Sequence, residues 1–216
     1  MNINSPTQSI YLIAPSGAIQ KKESCLNGIN WLNANGYEVD NLSCLDRQFE
    51  RFAGSDETRL SDIESIYELT NHNTIVMSAR GGYGANRLLP NIQWNELARS
   101  ISQGIKLVGH SDFTAIELAL FSKTQSISYA GPMLSYDFGF DNSKLPTISK
   151  VTFDYFQEVM VNRSLNLKIN AKQTYISGDI KIDRHENCLL WGGNLSILVN
   201  LLGSSYFPSQ DLINKG

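Results

Sequence analysis

The stretch Ile105-Lys106-Leu107-Val108-Gly109-His110-Ser111-Asp112-Phe113 passes from an apolar strand pattern, through a very short turn, into a helix beginning at Phe113. An abrupt strand-to-helix step of this kind belongs to an α/β unit. The same alternation extends outward on both sides. Ile10 to Ala14 reads as a compact buried strand stopped by Pro15-Ser16-Gly17. Cys25, Leu26, Ile29 and Leu32 mark the inner face of a helix that Gly36 ends, and Tyr37-Glu38-Val39 is the next strand. Ser55-Asp56-Glu57 signals a helix start, followed by the stripe Leu60, Ile63, Ile66, Tyr67 and Leu69. Thr74 to Met77 is a third strand, Trp94, Leu97, Ala98 and Ile101 a short helix, and Ser126 to Ala130 a fifth strand beyond the helix from Phe113 to Phe121.

Strands that are apolar on both faces and alternate with helices predict a parallel sheet flanked by helices, a Rossmann- or flavodoxin-like N-terminal domain over residues 1–136. Working residues in such sheets sit on loops beyond the carboxyl ends of the strands. The two unusual loops, after Met77 and after Val108, fall there. Residues 137–163 read as a polar linker and a connecting helix with Phe153, Phe156, Val159 and Met160 on one side. Residues 164–216 then read as the start of a smaller, incomplete β-rich α/β domain, with strands at Leu165 to Ile169 and Tyr175 to Ile182.

Composition narrows the partners. The chain has 216 residues, 42% hydrophobic, with a net charge of -3 and no basic stripe, which argues against nucleic acid. Cys25, Cys44 and Cys188 are too few and too scattered for a zinc cluster or a disulfide framework, and fit buried apolar positions in a reducing compartment. The apolar run Ile10 to Ala14 is too short for a signal peptide or a bilayer span, so a cytoplasmic protein without a membrane partner is expected.

Ser111 lies in the tight bend. A serine there is pushed out above the sheet, and the following amides, starting with that of Asp112, point where an oxyanion would develop. The esterase elbow reads Gly-x-Ser-x-Gly, and Phe113 at the fifth position departs from it, which leaves a plain α/β esterase the weakest reading. Taken alone, Ser111 or Asp112 serves equally well as an N-cap.

The second loop reads Ser78-Ala79-Arg80-Gly81-Gly82-Tyr83-Gly84-Ala85-Asn86-Arg87. A dinucleotide fingerprint started at Gly82 needs glycine where Arg87 stands, and no Gly-Lys-Ser/Thr follows, so a P-loop is excluded and no cofactor is expected. A better use is a second oxyanion amide, from Gly82 or Tyr83, facing Ser111. Arg80 or Arg87 could pair with a substrate carboxylate, or could equally make a structural ion pair.

Ala14-Pro15-Ser16-Gly17, Arg80-Gly81-Gly82-Tyr83-Gly84, Gly109-His110-Ser111-Asp112 and Leu190-Trp191-Gly192-Gly193-Asn194-Leu195-Ser196 occur in this order. The set resembles the LD-carboxypeptidase family, serine peptidases that include muramoyltetrapeptide carboxypeptidases and microcin C immunity peptidases. The resemblance runs from Ile10 to about Pro208. It implies Ser111 as nucleophile, backbone amides of Gly82 and Asp112 as oxyanion hole, Arg80 and Tyr83 near the substrate, no metal, and a Ser-His-Glu triad. It implies a muropeptide or other small peptide as substrate and members that are often homodimers. His110 stands where the family more often carries Tyr or Phe.

The triad partners are the obstacle. His72 falls in a helix-to-strand connection at the far end of the sheet, His110 is expected to point to the opposite face from Ser111, and His185 sits with Glu186 in a polar stretch. The family's glutamate and histidine both lie C-terminal to the Gly192-Gly193-Asn194 segment. The expectation is therefore a C-terminally truncated member that carries the nucleophile without its activating pair. A microcin C-type immunity peptidase and a catalytically inactive ligand-binding remnant stand beside the cell-wall recycling peptidase as alternatives.

Overall fold

The apolar runs of the sequence pair side by side in parallel. The computed structural model describes residues 8–139, 146–162 and 190–213. Its strands are β1 (Gln8–Ile13), β2 (Tyr37–Asp40), β3 (Ile75–Ser78), β4 (Lys106–Gly109) and β5 (Tyr129–Ala130), in the order β2-β1-β3-β4-β5. Ile10 pairs with Val39 on one side and with Ile75 on the other, and Val76 pairs with Leu107. The fifth strand is only two residues long, shorter than expected, because only Tyr129 and Ala130 pair with Val108 and Gly109.

Helices cover both faces. Ile10, Leu12, Ile75, Met77 and Val108 face one core together with Cys25, Ile29 and Leu32 of α1 (Lys22–Ala34). Ile13, Val76 and Leu107 face the other. That side is closed by α2 (Asp56–Glu64), α3 (Ala85–Leu88), α4 (Trp94–Ser102) and α5 (Thr114–Thr124). Ser55 starts α2 as expected, its hydroxyl accepting from the Thr58 amide at 3.2 Å. Leu26, expected on the inner face of α1, is instead 58% exposed. Eight consecutive residues of α5, Thr114 to Phe121, are buried, so this helix shows no amphipathic period.

The connecting helix α6 (Pro146–Asn162) docks on the first core. Phe153 meets Trp31 edge-on at 4.5 Å between ring centroids, and Phe156 meets Phe138 at 5.3 Å. Residues Leu134–Phe138, across the expected boundary between the N-terminal domain and the linker at 136/137, form a π-helical turn packed on α1. A Cβ at Gly28 would stand 2.9 Å from the Leu134 carbonyl oxygen, so that approach requires glycine. The strands expected at 165–169 and 175–182 lie outside the described residues. After them come α7 (Leu195–Leu201), which packs on α5, and α8 (Gln210–Ile213). Among the described residues no helix is long and apolar enough to cross a membrane.

Because β1 and β3 are neighbours while β2 lies outside them, the connections leave the carboxyl ends of β1 and β3 on opposite sides. A crevice opens at such a switch point.

Candidate active site

The backbone does most of the construction here. Gly17 donates its amide to the Gly81 carbonyl at 3.1 Å, which ties the loop after β1 to the loop after β3. A Cβ at Gly82, whose φ is 118°, would stand 3.1 Å from the Gly17 α-carbon. The two loops therefore meet main chain to main chain, with no room for a side chain between them.

Ser111 follows the end of β4 with φ of 62°. A non-glycine residue in that region is strained, and such strain concentrates at functional sites. Its hydroxyl abuts the glycine loop: a Cβ at Gly81 would lie 2.8 Å from Ser111 Oγ and 3.5 Å from the Asp112 amide nitrogen. The expected neighbourhood of Ser111, Asp112 and the double glycine is thus present. The fifth-position Phe113 also has its explanation. Its ring lies so close over Gly109 that a Cβ there would collide with Cδ1. Phe113 is fully buried and fills the space beneath the turn.

The cleft above these loops measures about 1420 Å³ and is lined by Arg80, Gly81, Gly82, Tyr83, His110, Ser111, Asp112, Tyr136 and Asn194, among others. Arg80 projects into it with Nη1 donating to the Ala18 carbonyl at 2.6 Å. Among the described residues it makes no ion pair. Tyr83 stands at the rim, 69% exposed. Arg87, the other arginine considered for a substrate carboxylate, is engaged elsewhere. Its Nε and Nη2 hold Asp56 at 3.0 and 2.8 Å.

His110 departs from expectation. It lines the same cleft as Ser111 rather than the opposite face, since the left-handed turn at 111 breaks the alternation of an extended chain. Its Nε2 lies 3.0 Å from Asp137 Oδ2, which also accepts the Met133 amide at 2.8 Å. His72 lies in the turn before β3, at the other end of the sheet, and His185 and Glu186 are outside the described residues.

Several contributors carry no motif. Arg59 is completely buried and Asp112 nearly so. Burial pushes the Asp112 carboxyl up, opposed by the Ala85 amide, the Ser16 hydroxyl and the Arg59 charge. Thr114, the first residue of α5, accepts the Asn194 amide at 3.2 Å, which seats the second glycine-rich segment beside the serine turn. Arg59 could have been noticed, because it stands one helical turn before Ile63 on the inner stripe of α2. Asp137 gives no such signal. Among the described residues no cluster of His, Cys, Asp and Glu could hold a metal ion.

A parallel α/β sheet whose switch-point crevice presents a strained serine to a glycine loop defines the class. The chain belongs to the LD-carboxypeptidase family: the model of that family's N-terminal domain matches residues 10–131. It is similar to the murein tetrapeptide carboxypeptidase of Pseudomonas aeruginosa, 27% identical over 124 residues, covering 57% of this chain and 39% of that one. The microcin C7 self-immunity protein MccF of Escherichia coli is 26% identical over 157 residues, covering 62% and 43%. Among solved structures, the muramoyltetrapeptide carboxypeptidase of Oxalobacter formigenes superposes with a TM-score of 0.75 at 34% identity, covering 94% of this chain and 62% of that one. The chain spans about half the length of the curated relatives it matches.

Proposed function

We propose that this chain carries the nucleophile-bearing part of a serine LD-carboxypeptidase that removes the terminal D-alanine from a cytoplasmic muropeptide during peptidoglycan recycling. The observation that carries the reading is Ser111 at φ 62°, with its hydroxyl against Gly81 and the Asp112 amide beside it.

In this reading Ser111 Oγ attacks the carbonyl of the L,D-amide. A base takes the hydroxyl proton and returns it to the leaving amine, and D-alanine departs. Water then hydrolyses the acyl-serine. The amides of Gly82 and Asp112 hold the oxyanion, where one donor is typically worth ~10²–10³ in rate. Arg80, with one Nη committed to Ala18, keeps donors free for the substrate's terminal carboxylate, and Tyr83 covers the rim. The base is assigned by family resemblance to a histidine oriented by glutamate, both C-terminal to Gly193. His110, held at Nε2 by Asp137, makes no hydrogen bond to Ser111 among the described residues, so it is not aligned as the base.

The similarity to MccF supports a second reading, an immunity peptidase that cleaves a peptidyl-nucleotide amide. The test has three arms on one protein that carries the family's glutamate and histidine as well as residues 1–216. Intact mass after treatment with a fluorophosphonate should show one adduct, absent from Ser111→Ala. Release of D-alanine from muramoyl-tetrapeptide should be faster than release of nucleotide from an aspartyl sulfamoyl adenosine. Faster turnover of the nucleotide selects the immunity reading. Saturable muropeptide binding without adduct or product selects a non-catalytic ligand cradle and overturns both.

A further inference from the structure

The peptide joining Gly84 to Ala85 is gripped at both of its polar atoms. Its carbonyl oxygen accepts from Arg59 Nη1 at 2.9 Å. Its N–H donates to Asp112 Oδ2 at 2.9 Å. One holder is a fully buried arginine on α2, and the other is the residue next to Ser111.

Arg59 is itself held by further contacts at its Nη atoms and guanidinium face, while its buried Nε has no hydrogen-bond partner among the described residues. Nη1 also donates to the Pro15 carbonyl, Nη2 meets Asp56 Oδ1 at 2.5 Å, and the guanidinium carbon stands 4.8 Å from the Phe52 ring centroid. Gly84, at φ 110°, has no space for a Cβ, which would lie 2.8 Å from Arg59 Nη1 and 2.7 Å from the Phe52 ring. Both charged holders are out of water, so the protein rather than solvent sets their geometry. A peptide bonded at each end to an ionic group is polarised, and each bond strengthens the other.

We propose that Arg59 is a positioning residue for Ser111, acting through the Gly84–Ala85 peptide and the Asp112 carboxylate to hold the strained serine turn in register with the glycine loop. The proposal rests on the nucleophile reading of Ser111. It accounts for a buried cation where a hydrophobic residue would usually be at least as stabilising. No hydrophobe can join the loop after β1 to the loop after β3, as this fork does. The groups facing Asp112 are the Ser16 hydroxyl from the first loop, the Ala85 amide from α3 and the Arg59 charge from α2. Removing that charge leaves burial less opposed, so the carboxyl protonates at higher pH and loses its strength as an acceptor.

The test compares wild type, in a protein that carries the family's glutamate and histidine, with Arg59→Met, Arg59→Lys and Ile63→Ala, the last a buried α2 substitution that takes part in none of these hydrogen bonds. Amide hydrogen exchange at Ala85, the pH profile of Ser111 phosphonylation by a fluorophosphonate, and Tm are measured on each. In Arg59→Met, Ala85 should exchange at least ~tenfold faster relative to the sheet amides. The acid limb of its labelling profile should move to higher pH. Arg59→Lys keeps the charge and should keep the acid limb, with Ala85 exchange still raised. Ile63→Ala should lower Tm without either effect. Unchanged Ala85 protection in the Arg59 variants overturns the proposal, as does an Ile63→Ala profile that matches Arg59→Met at equal loss of Tm. If wild type is not labelled, the nucleophile reading fails, and Ala85 exchange alone decides for or against the relay. Should Arg59→Met not fold, Arg59→Lys supplies the same exchange readout.

Discussion

At Ser111 the backbone and the hydroxyl make opposite demands. The left-handed φ of 62° suits glycine, yet the proposed chemistry needs an oxygen there. Ser111→Gly should therefore raise stability by ~1 kcal/mol in urea denaturation while abolishing the fluorophosphonate adduct. Ser111→Ala keeps the strain and should lose only the adduct. An equally stable Ser111→Gly protein would show that the turn is unstrained. Gly81 carries the complementary constraint. Gly81→Ala places a methyl 2.8 Å from Ser111 Oγ, so the serine turn or the glycine loop must shift. The expected loss is about 1–3 kcal/mol in stability. Ser111 labelling should also slow at least ~tenfold, which chymotrypsin-style titration of the adduct over time would measure. Both positions were legible in the sequence, because a serine after a strand-ending glycine and a double glycine after another strand are local patterns. Asp137 was not legible. Its partnership with His110 joins positions 27 apart in sequence, and nothing local to either residue specifies the other.

Among the elements, β1, β3 and β4 followed from continuous apolar runs, since strands buried on both faces need no alternation, and α1, α4 and α5 from their apolar positions, whereas α3 did not, its Ala85 to Arg87 reading as part of the glycine loop. Helix α2 followed from its start signal, and Ser55→Ala should cost ~1 kcal/mol, read as a lowered Tm. An unchanged Tm would mean that water replaces the cap fully. What escaped the reading of α2 was its polar cargo. A stripe sought through apolar side chains passes over Arg59 and Asp62, although both are buried. Asp62 accepts the Ala14 amide at 2.9 Å and pairs with Arg47 at 2.5 Å. The inner face of this helix therefore binds the loop after β1 by charge as well as by packing. The apolar side of helix α6, with Phe153 and Phe156, is legible in the sequence, but the surface it docks on is not. That surface is an aromatic cluster assembled from Trp31, Tyr37 and Phe138, which no single window of sequence contains.

For the molecule as a whole, one buried carboxylate among the described residues makes stability depend on pH. Glu117 on α5 is buried, and neither carboxylate oxygen has a hydrogen-bond partner among the described residues. Burial raises its pKa to about 8. The native state therefore holds a proton that the unfolded chain releases at an ordinary carboxyl pKa of ~4.3. Between those values folding takes up a proton, so this group lowers stability as pH rises, with the loss complete above the folded pKa. Glu117→Gln should abolish that slope and should be the more stable protein at pH 8.5 by a margin on the order of a few kcal/mol. Thermal melts of both proteins from pH 5 to 9 check the sign: parallel curves would place a donor beside the carboxylate.

The crossing of the Gly17 and Gly81-Gly82 main chains leaves the cleft with a floor made of peptide and a perimeter made of side chains. One carbon added to that floor would stand 3.1 Å from the opposite main chain at Gly17 or Gly82 and 2.8 Å from Ser111 at Gly81, so each such change presses on the loops that form the site. Tyr83, Tyr136 and Asn200 line the perimeter, and a library confined to those three is where altered selectivity can arise without dismantling the serine turn.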